Sequence, residues 1–291
     1  MQPGLSTHVF LPHRLHTGLL DTIRRAGATS IEIYAARHHF DYADRPAVRE
    51  IAAWFRDSGI TPTLHQPVSL ETRWSRHAAP TLNLTDSEKS RRILAMDEVK
   101  RALESAEQIP FRSVILHLGM KGDKWTPRCL EDALTAIEHL QAFARPLGVQ
   151  ILIENLQNEI TTPEHILDIL RIGHFDDVRV SLDVGHAHLT DFKNPGAGID
   201  AAFDLLKDRI AELHLHDNDG SRDEHLWPGT APEGQGIDWP HLHQLTSTLP
   251  PQTRGVLEIA HQPEEPVETI QRKAAQFFSE EARRSEHLQQ R

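Results

Sequence analysis

Ser181-Leu182-Asp183-Val184-Gly185-His186 closes a short apolar run on a carboxylate, then passes through glycine to an imidazole. The same pattern recurs along the chain. Other apolar runs end as Leu64-His65-Gln66, Leu116-His117-Leu118-Gly119, Ile153-Glu154-Asn155, His214-Leu215-His216-Asp217 and Leu257-Glu258-Ile259. Outward from these ends, eight strands are predicted: Leu5–Phe10, Ser30–Tyr34, Thr61–Gln66, Ser113–His117, Gln150–Glu154, Val178–Asp183, Ile210–His216 and Gly255–Glu258. Continuous apolar runs such as Ile151-Leu152-Ile153 suit strands covered on both faces.

Helical patterns fill the gaps at Arg45–Ser58, Asp86–Ala106, Arg128–Leu147, Pro163–Ile172, Asp200–Lys207, Trp239–Thr248 and Pro266–Phe278. In the first, Val48, Ile51, Ala52 and Phe55 form one stripe. Gly27, Gly59, Gly148 and Gly173 punctuate helix ends. Strand–helix alternation repeated eight times predicts an α/β fold, a single (β/α)8 TIM barrel. An open doubly wound sheet is the alternative, but no GxGxxG turn follows the first strand. The barrel is expected over residues 1–278, with 279–291 a polar, solvated C-terminal tail.

The length of 291 residues suits one such barrel. Lys plus Arg is 31 against 42 Asp plus Glu, a formal charge of −11, which argues against a broad nucleic-acid surface. No apolar run spans a bilayer, and the first residues lack the pattern of a signal peptide, so a cytoplasmic protein is expected. A lone cysteine, Cys129, excludes an internal disulfide and a CxxC metal motif. The 20 histidines, against 2 tyrosines and 3 methionines, stand out.

Catalytic groups of a barrel sit at the C-terminal strand ends, so the six runs ending in His, Asp or Glu share one mouth. Glu154, Asp183 and Glu258 converging there would repel one another, and a buried carboxylate without a partner is costly. A divalent cation resolves this. Glu154, Asp183, His214 and Glu258 make a mixed oxygen–nitrogen set suited to Zn²⁺, Mn²⁺, Co²⁺ or Mg²⁺. His65 and His117 are placed to hold a second ion beside Glu154, and His186, Asp223 and His225 a third, for one to three ions in all. The imidazole-rich sets favour zinc or a similar transition metal such as manganese over magnesium.

With these residues the chain resembles the xylose isomerase-like TIM-barrel superfamily, which contains sugar phosphate isomerases and epimerases and also endonuclease IV. The resemblance runs from Ile31-Glu32 to Glu258. Its most specific pieces are Ser181–His186, His214-Leu215-His216-Asp217-Asn218, and Asp223-Glu224-His225-Leu226-Trp227-Pro228-Gly229 continuing to Gly234-Gln235-Gly236-Ile237-Asp238-Trp239. The last matches a D-x-H-L-x-x-G…G-x-G-x-I-D-W pattern with an insertion at Thr230-Ala231-Pro232. The resemblance implies, for the epimerase branch, one metal on Glu154, Asp183, His214 and Glu258, with the two glutamates moving protons on opposite sides of a substrate. For endonuclease IV it implies three zincs on those four plus His65, His117, His186, Asp223 and His225.

Two enzyme functions follow. One is a metal-dependent isomerase or epimerase of a sugar or sugar phosphate, with proton transfer beside a metal-bound carbonyl. The other is a multinuclear zinc phosphodiesterase acting on abasic DNA, disfavoured by the acidic charge and by a loop, Ala35–Tyr42, unlike endonuclease IV's own. A degenerate, binding-only barrel is a third reading, opposed by the complete ligand set. The family often forms dimers or tetramers, so a homo-oligomer is compatible.

Further candidates lie around the mouth. The long connection Gln66–Thr85 carries Arg73, Trp74, Arg76 and His77, and Trp74 is a candidate for stacking on a sugar. Lys121 and Lys124 are candidate phosphate contacts. Glu32 is expected to orient His65 or His117, or else to pair with Arg37. Strand alternation sends His214 and His216 to the same face, and the family's H-x-x-D spacing selects His214 as ligand, leaving His216 a substrate contact or a structural residue. Cys129 reads as inert, and His38, His39, His241 and His243 as surface.

Overall fold

Eight parallel strands close on themselves in sequence order in the computed structural model, which describes residues 1–75, 78–194 and 196–289. The strands are β1 Gln2–Ser6, β2 Ser30–Tyr34, β3 Thr61–His65, β4 Ser113–Leu116, β5 Gln150–Glu154, β6 Arg179–Asp183, β7 Ile210–Leu215 and β8 Arg254–Leu257. Around them run α1 Thr17–Arg25, α2 Arg45–Ser58, α3 Lys89–Glu104, α4 Pro127–Ala144, α5 Pro163–Ile172, α6 Val184–Lys193, α7 Ile199–Leu206, α8 Trp239–Thr246 and α9 Val267–Gln289. No helix among the described residues is long and apolar enough to cross a membrane.

Local signals explain most boundaries. Asp44, Thr126, Thr162 and Asp238 each accept a backbone N–H three residues on, and a proline stands in the first turn that each caps. Gly59 ends α2 in the left-handed conformation. Helix stripes such as Val48, Ile51, Ala52 and Phe55 pack inward against the outer faces of the strands.

The structure corrects three boundaries. β1 lies earlier than the apolar run Leu5–Phe10: its ladder to β8 pairs Gln2 with Arg254 and Leu5 with Leu257. Residues Thr7–Phe10 instead form a 3-10 turn, started by the Ser6 hydroxyl accepting from His8 N–H. Val9 and Phe10 are buried there, which is why they read as strand. Two helices, α1 and α6, were not anticipated; α6 follows β6 without a loop, because Asp183 ends the strand and caps the helix by accepting from His186 N–H at 2.6 Å. Third, the chain past 278 continues as α9, rich in helix-forming Glu, Ala and Arg, and Glu281 on it meets His243 at 2.9 Å.

The barrel interior is polar where a plain barrel holds aliphatic layers. Near its base Arg254 donates to Glu212 at 2.5 Å and to Ser113 at 2.9 Å. One layer up, Glu32 of β2 meets His214 of β7 at 3.0 Å. These strands are not neighbours in the ring, so the contact crosses the lumen. Both residues are fully buried.

Candidate metal centre

The top of the lumen is built by strand ends. Between β6 and β7 the register shifts after Val180, and beyond the shift Asp183 stands beside His214. Such irregularities re-aim side chains near sites. Here the shift brings Asp183 to the imidazole that Glu154 and Glu258 also face. One ligand atom from each of Glu154, Asp183, His214 and Glu258 lies within 4.8 Å of the others, and all four residues are buried.

His214 is the pivot. Its Nε2 meets the Glu32 carboxylate, which can only accept, so that nitrogen carries the proton. With a cation bound, the ring would be neutral and turn its Nδ1 lone pair upward; without one, that nitrogen also takes a proton. That Nδ1 is 3.2 Å from Glu258, 3.5 Å from Glu154 and 3.9 Å from Asp183, with no hydrogen-bond partner. A ring nitrogen facing three carboxylate groups in a dry interior is the arrangement a divalent cation fits.

The same tautomer logic extends around the mouth. His65 Nδ1 meets the Gln66 carbonyl at 2.9 Å, His186 Nδ1 the Asn155 carbonyl at 2.8 Å, and His225 Nδ1 the Glu258 carbonyl at 2.8 Å. A carbonyl only accepts, so each ring donates from Nδ1 and presents Nε2 to the mouth. His65 and His117 join Glu154 as a second donor set, with His117 Nε2 at 2.9 Å and His65 Nε2 at 3.7 Å from the carboxylate. His186, His216, Asp223 and His225 form another.

Electrostatics agree. Burial alone would lower His214, but Glu258, Glu32 and Glu154 carry it well above the ordinary histidine range. Burial likewise opposes the charge on Glu154, yet His117 and His214 hold it well below the usual carboxylate range. Against its burial, Asp223 and Glu258 push His225 up to about 10. The cluster therefore attracts positive charge, protons when no metal is bound.

A cavity of about 240 Å³ opens onto these groups. Glu154 and Glu258 reach its lining, with His8, Tyr34, His65, His117, Lys121, His186, Asp223 and His225, whereas Asp183 and His214 lie beneath. A larger cavity of about 470 Å³ lies beside α5 and α6, without such a cluster.

The predicted nine ligands thus meet at one mouth. Other expectations change. Glu32 serves His214, not His65 or His117, and Arg37 pairs instead with buried Glu98 at 2.5 Å. His216 joins the third donor set. Lys124 is engaged by Glu159 at 2.6 Å, away from the centre. Trp74 is 38% exposed, its ring 6.1 Å from that of His261, and is not part of the cavity lining. Arg76 and His77 lie outside the described residues. His39 and His243 are buried, contrary to expectation. His39 donates to the His13 carbonyl, and burial lowers its pKa to about 3. Cys129 is buried, which raises its thiol to about 11 and fits an inert role.

Sequence reading missed His8 and Tyr34. His8 donates to the Ile259 carbonyl at 3.0 Å and belongs with His225 and Glu258 to a further possible donor set. It was hidden in a segment read as strand. The signal was there: a histidine just past a strand end, as His117 and His186 are past theirs.

The profile of one family, described as xylose isomerase-like TIM barrel, matches residues 20–281. The chain belongs to that family. The chain is 29% identical over 164 residues to the uncharacterised protein MJ1614 of Methanocaldococcus jannaschii, a match spanning 55% of this chain and 62% of that protein. Among solved structures, a D-tagatose 3-epimerase-like protein superposes with a TM-score of 0.74 at 20% identity over 99% of both chains. L-ribulose 3-epimerase gives 0.75 at 14% identity, over 99% of this chain and 96% of that one. The IolI protein with a bound zinc atom gives 0.73 at 16%, over 97% and 98%. At these identities the likeness is one of fold.

Proposed function

We propose that the protein is a metal-dependent sugar or sugar-phosphate isomerase or epimerase, with Glu154 and Glu258 as its proton-transfer groups. Its structural neighbours are sugar epimerases, which supports an enzyme of that kind. The observation that carries the reading is the placement of the two glutamates. They come from β5 and the end of β8, three strands apart in the ring, and both reach the cavity floor above Asp183 and His214.

A divalent cation, Zn²⁺ or Mn²⁺, held by Glu154, Asp183, His214 and Glu258 would supply Lewis-acid polarisation of a carbonyl. The chain's own groups then do the rest. One glutamate takes the proton from the carbon beside the carbonyl. The other returns a proton from the opposite face, which inverts the carbon. Asp183 and His214 stay below the reacting atoms, and Glu32 keeps the His214 proton away from the centre. His65, His117 and His8 offer polar contacts to substrate hydroxyls. Lys121, exposed in the cavity lining, would meet a substrate phosphate.

The test is exchange. Ketopentoses and ketohexoses, free and phosphorylated, are incubated with metal-loaded enzyme in D2O. Deuterium should enter at the carbon beside the carbonyl, and both Glu154→Gln and Glu258→Gln should stop it. Exchange that persists in both variants, or that survives full chelation, contradicts the mechanism.

A second reading, a multinuclear zinc phosphodiesterase acting on abasic DNA, is supported by the two further donor sets flanking the centre. Metal-dependent nicking of an abasic duplex, without sugar exchange, would move it ahead.

A further inference from the structure

Beside the proton-transfer groups, His186, Asp223 and His225 already converge, and resemblance assigned those three as zinc ligands. Such a three-residue set leaves a fourth position open for water or substrate. His216 stands beside that position. His216 Nε2 lies 3.9 Å from Asp223 Oδ1, where His186 Nε2 is 2.9 Å from Oδ2 and His225 Nε2 3.4 Å from Oδ1. A tetrahedral ion with bonds of about 2.0–2.1 Å has donor–donor edges of about 3.3 Å. Three imidazole nitrogens and one carboxylate thus surround a volume of that size, and all four donors lie within 4.8 Å of one another.

We propose that His216 is the fourth protein ligand of a closed His3Asp zinc site with His186, Asp223 and His225, whose ion clasps the 217–238 loop to the barrel and takes no substrate. Three further observations support it. His216 is fully buried, and its Nδ1 has no partner. Gly185 makes its room: a Cβ at that position would lie 2.0 Å from His216 Cε1 and within 2.6 Å of both ring nitrogens. That contact gives the glycine of Val184-Gly185-His186 a reason at the start of α6. Finally, the four ligands join two rigid elements to one loop. His186 rides on α6 and His216 follows β7, while Asp223 and His225 come from the long connection before α8. His225 holds a φ of 48°, a left-handed conformation uncommon outside glycine, which aims its ring inward. Asp217 gathers the rest of the loop, accepting from the N–H groups of Gly229 and Ile237 and from the Trp239 indole.

His216 Nε2 also lies 3.0 Å from both Asp183 oxygens. The competing assignment is therefore that His216 only donates to Asp183 and positions the central site.

The experiment counts ions. Purified protein is loaded with Zn²⁺, desalted and analysed for zinc, and the accessibility of 217–238 is read by limited proteolysis. His216→Ala should lose one equivalent and expose the loop to cleavage. Gly185→Ala, which displaces the ring without removing it, should do the same and guards against a folding failure in the first variant. In an Asp223→Asn background His216→Ala should remove nothing more, whereas in a Glu258→Gln background it should still remove one. Unchanged zinc in both His216→Ala and Gly185→Ala overturns the proposal. So does a loss that vanishes in Glu258→Gln and persists in Asp223→Asn, since that places His216 at the central site. None of these readouts uses turnover, so a failure of the isomerase reading leaves this result untouched.

Discussion

The lumen holds buried carboxylates at two depths, and they are treated in opposite ways. Near the base, Glu212 is met by the Arg254 guanidinium, which also donates to Ser113. At the mouth, Glu154, Asp183 and Glu258 gather around one imidazole whose Nε2 proton points away from them, towards Glu32. The chain supplies its own counter-charge below and leaves it to be supplied from outside above. On the proposed reading the balanced pair needs nothing further, whereas the gathered carboxylates take a cation, and the difference separates structural from functional charge within one barrel.

The sharpest way to break this contrast is to remove one charge at each depth. Glu258→Gln should lower catalysed exchange by roughly 10²–10⁴-fold, the usual contribution of a positioned acid or base, while the circular dichroism spectrum stays that of the folded chain. Arg254→Met should behave in reverse. It strands Glu212 in the interior and should cost about 3–5 kcal/mol in urea unfolding, with exchange per folded molecule largely kept. Loss of activity without loss of stability in Arg254→Met would erase the distinction between the two layers.

Between the layers, Glu32 links base to mouth through His214. Glu32→Gln should weaken Zn²⁺ or Mn²⁺ binding by roughly 10–100-fold, as carboxylate partners of metal-bound histidine do. Calorimetric titration of the metal-stripped variant checks it. An unchanged affinity would show that the His214 tautomer needs no help from Glu32.

The smallest effect concerns pH. In the metal-free chain His225 stands at about 10, against an ordinary 6.5: burial opposes its charge, but the Asp223 and Glu258 carboxylates outweigh burial. A raised folded-state value contributes stability fully present below the unfolded value and lost as pH rises through the folded one. The urea midpoint of stripped protein should therefore fall between pH 6.5 and 10. Metal affinity should rise over the same range, because the ion no longer displaces protons. A flat midpoint would place the proton elsewhere.

Much of this was legible along the chain because barrel strands report their own ends. An apolar run that stops on His65, Glu154 or Asp183 marks both a strand boundary and the mouth. What sequence could not give was partnership across the lumen. Glu32 and His214 are 182 residues apart, and only closure of the ring brings them together. His216 was ambiguous for a similar reason: it shares a face with His214, and the loop bearing Asp223 and His225 decides its partners. The early end of β1 was hidden because Val9 and Phe10 are buried without being in a strand.

The most direct test is zinc or manganese binding to metal-stripped protein at pH 7.5, followed by calorimetry with proton release measured in two buffers. At least one tightly held divalent ion, displacing protons and lost in Asp183→Asn, is the predicted result. A stripped protein that remains folded yet binds no divalent ion would contradict the account at its root.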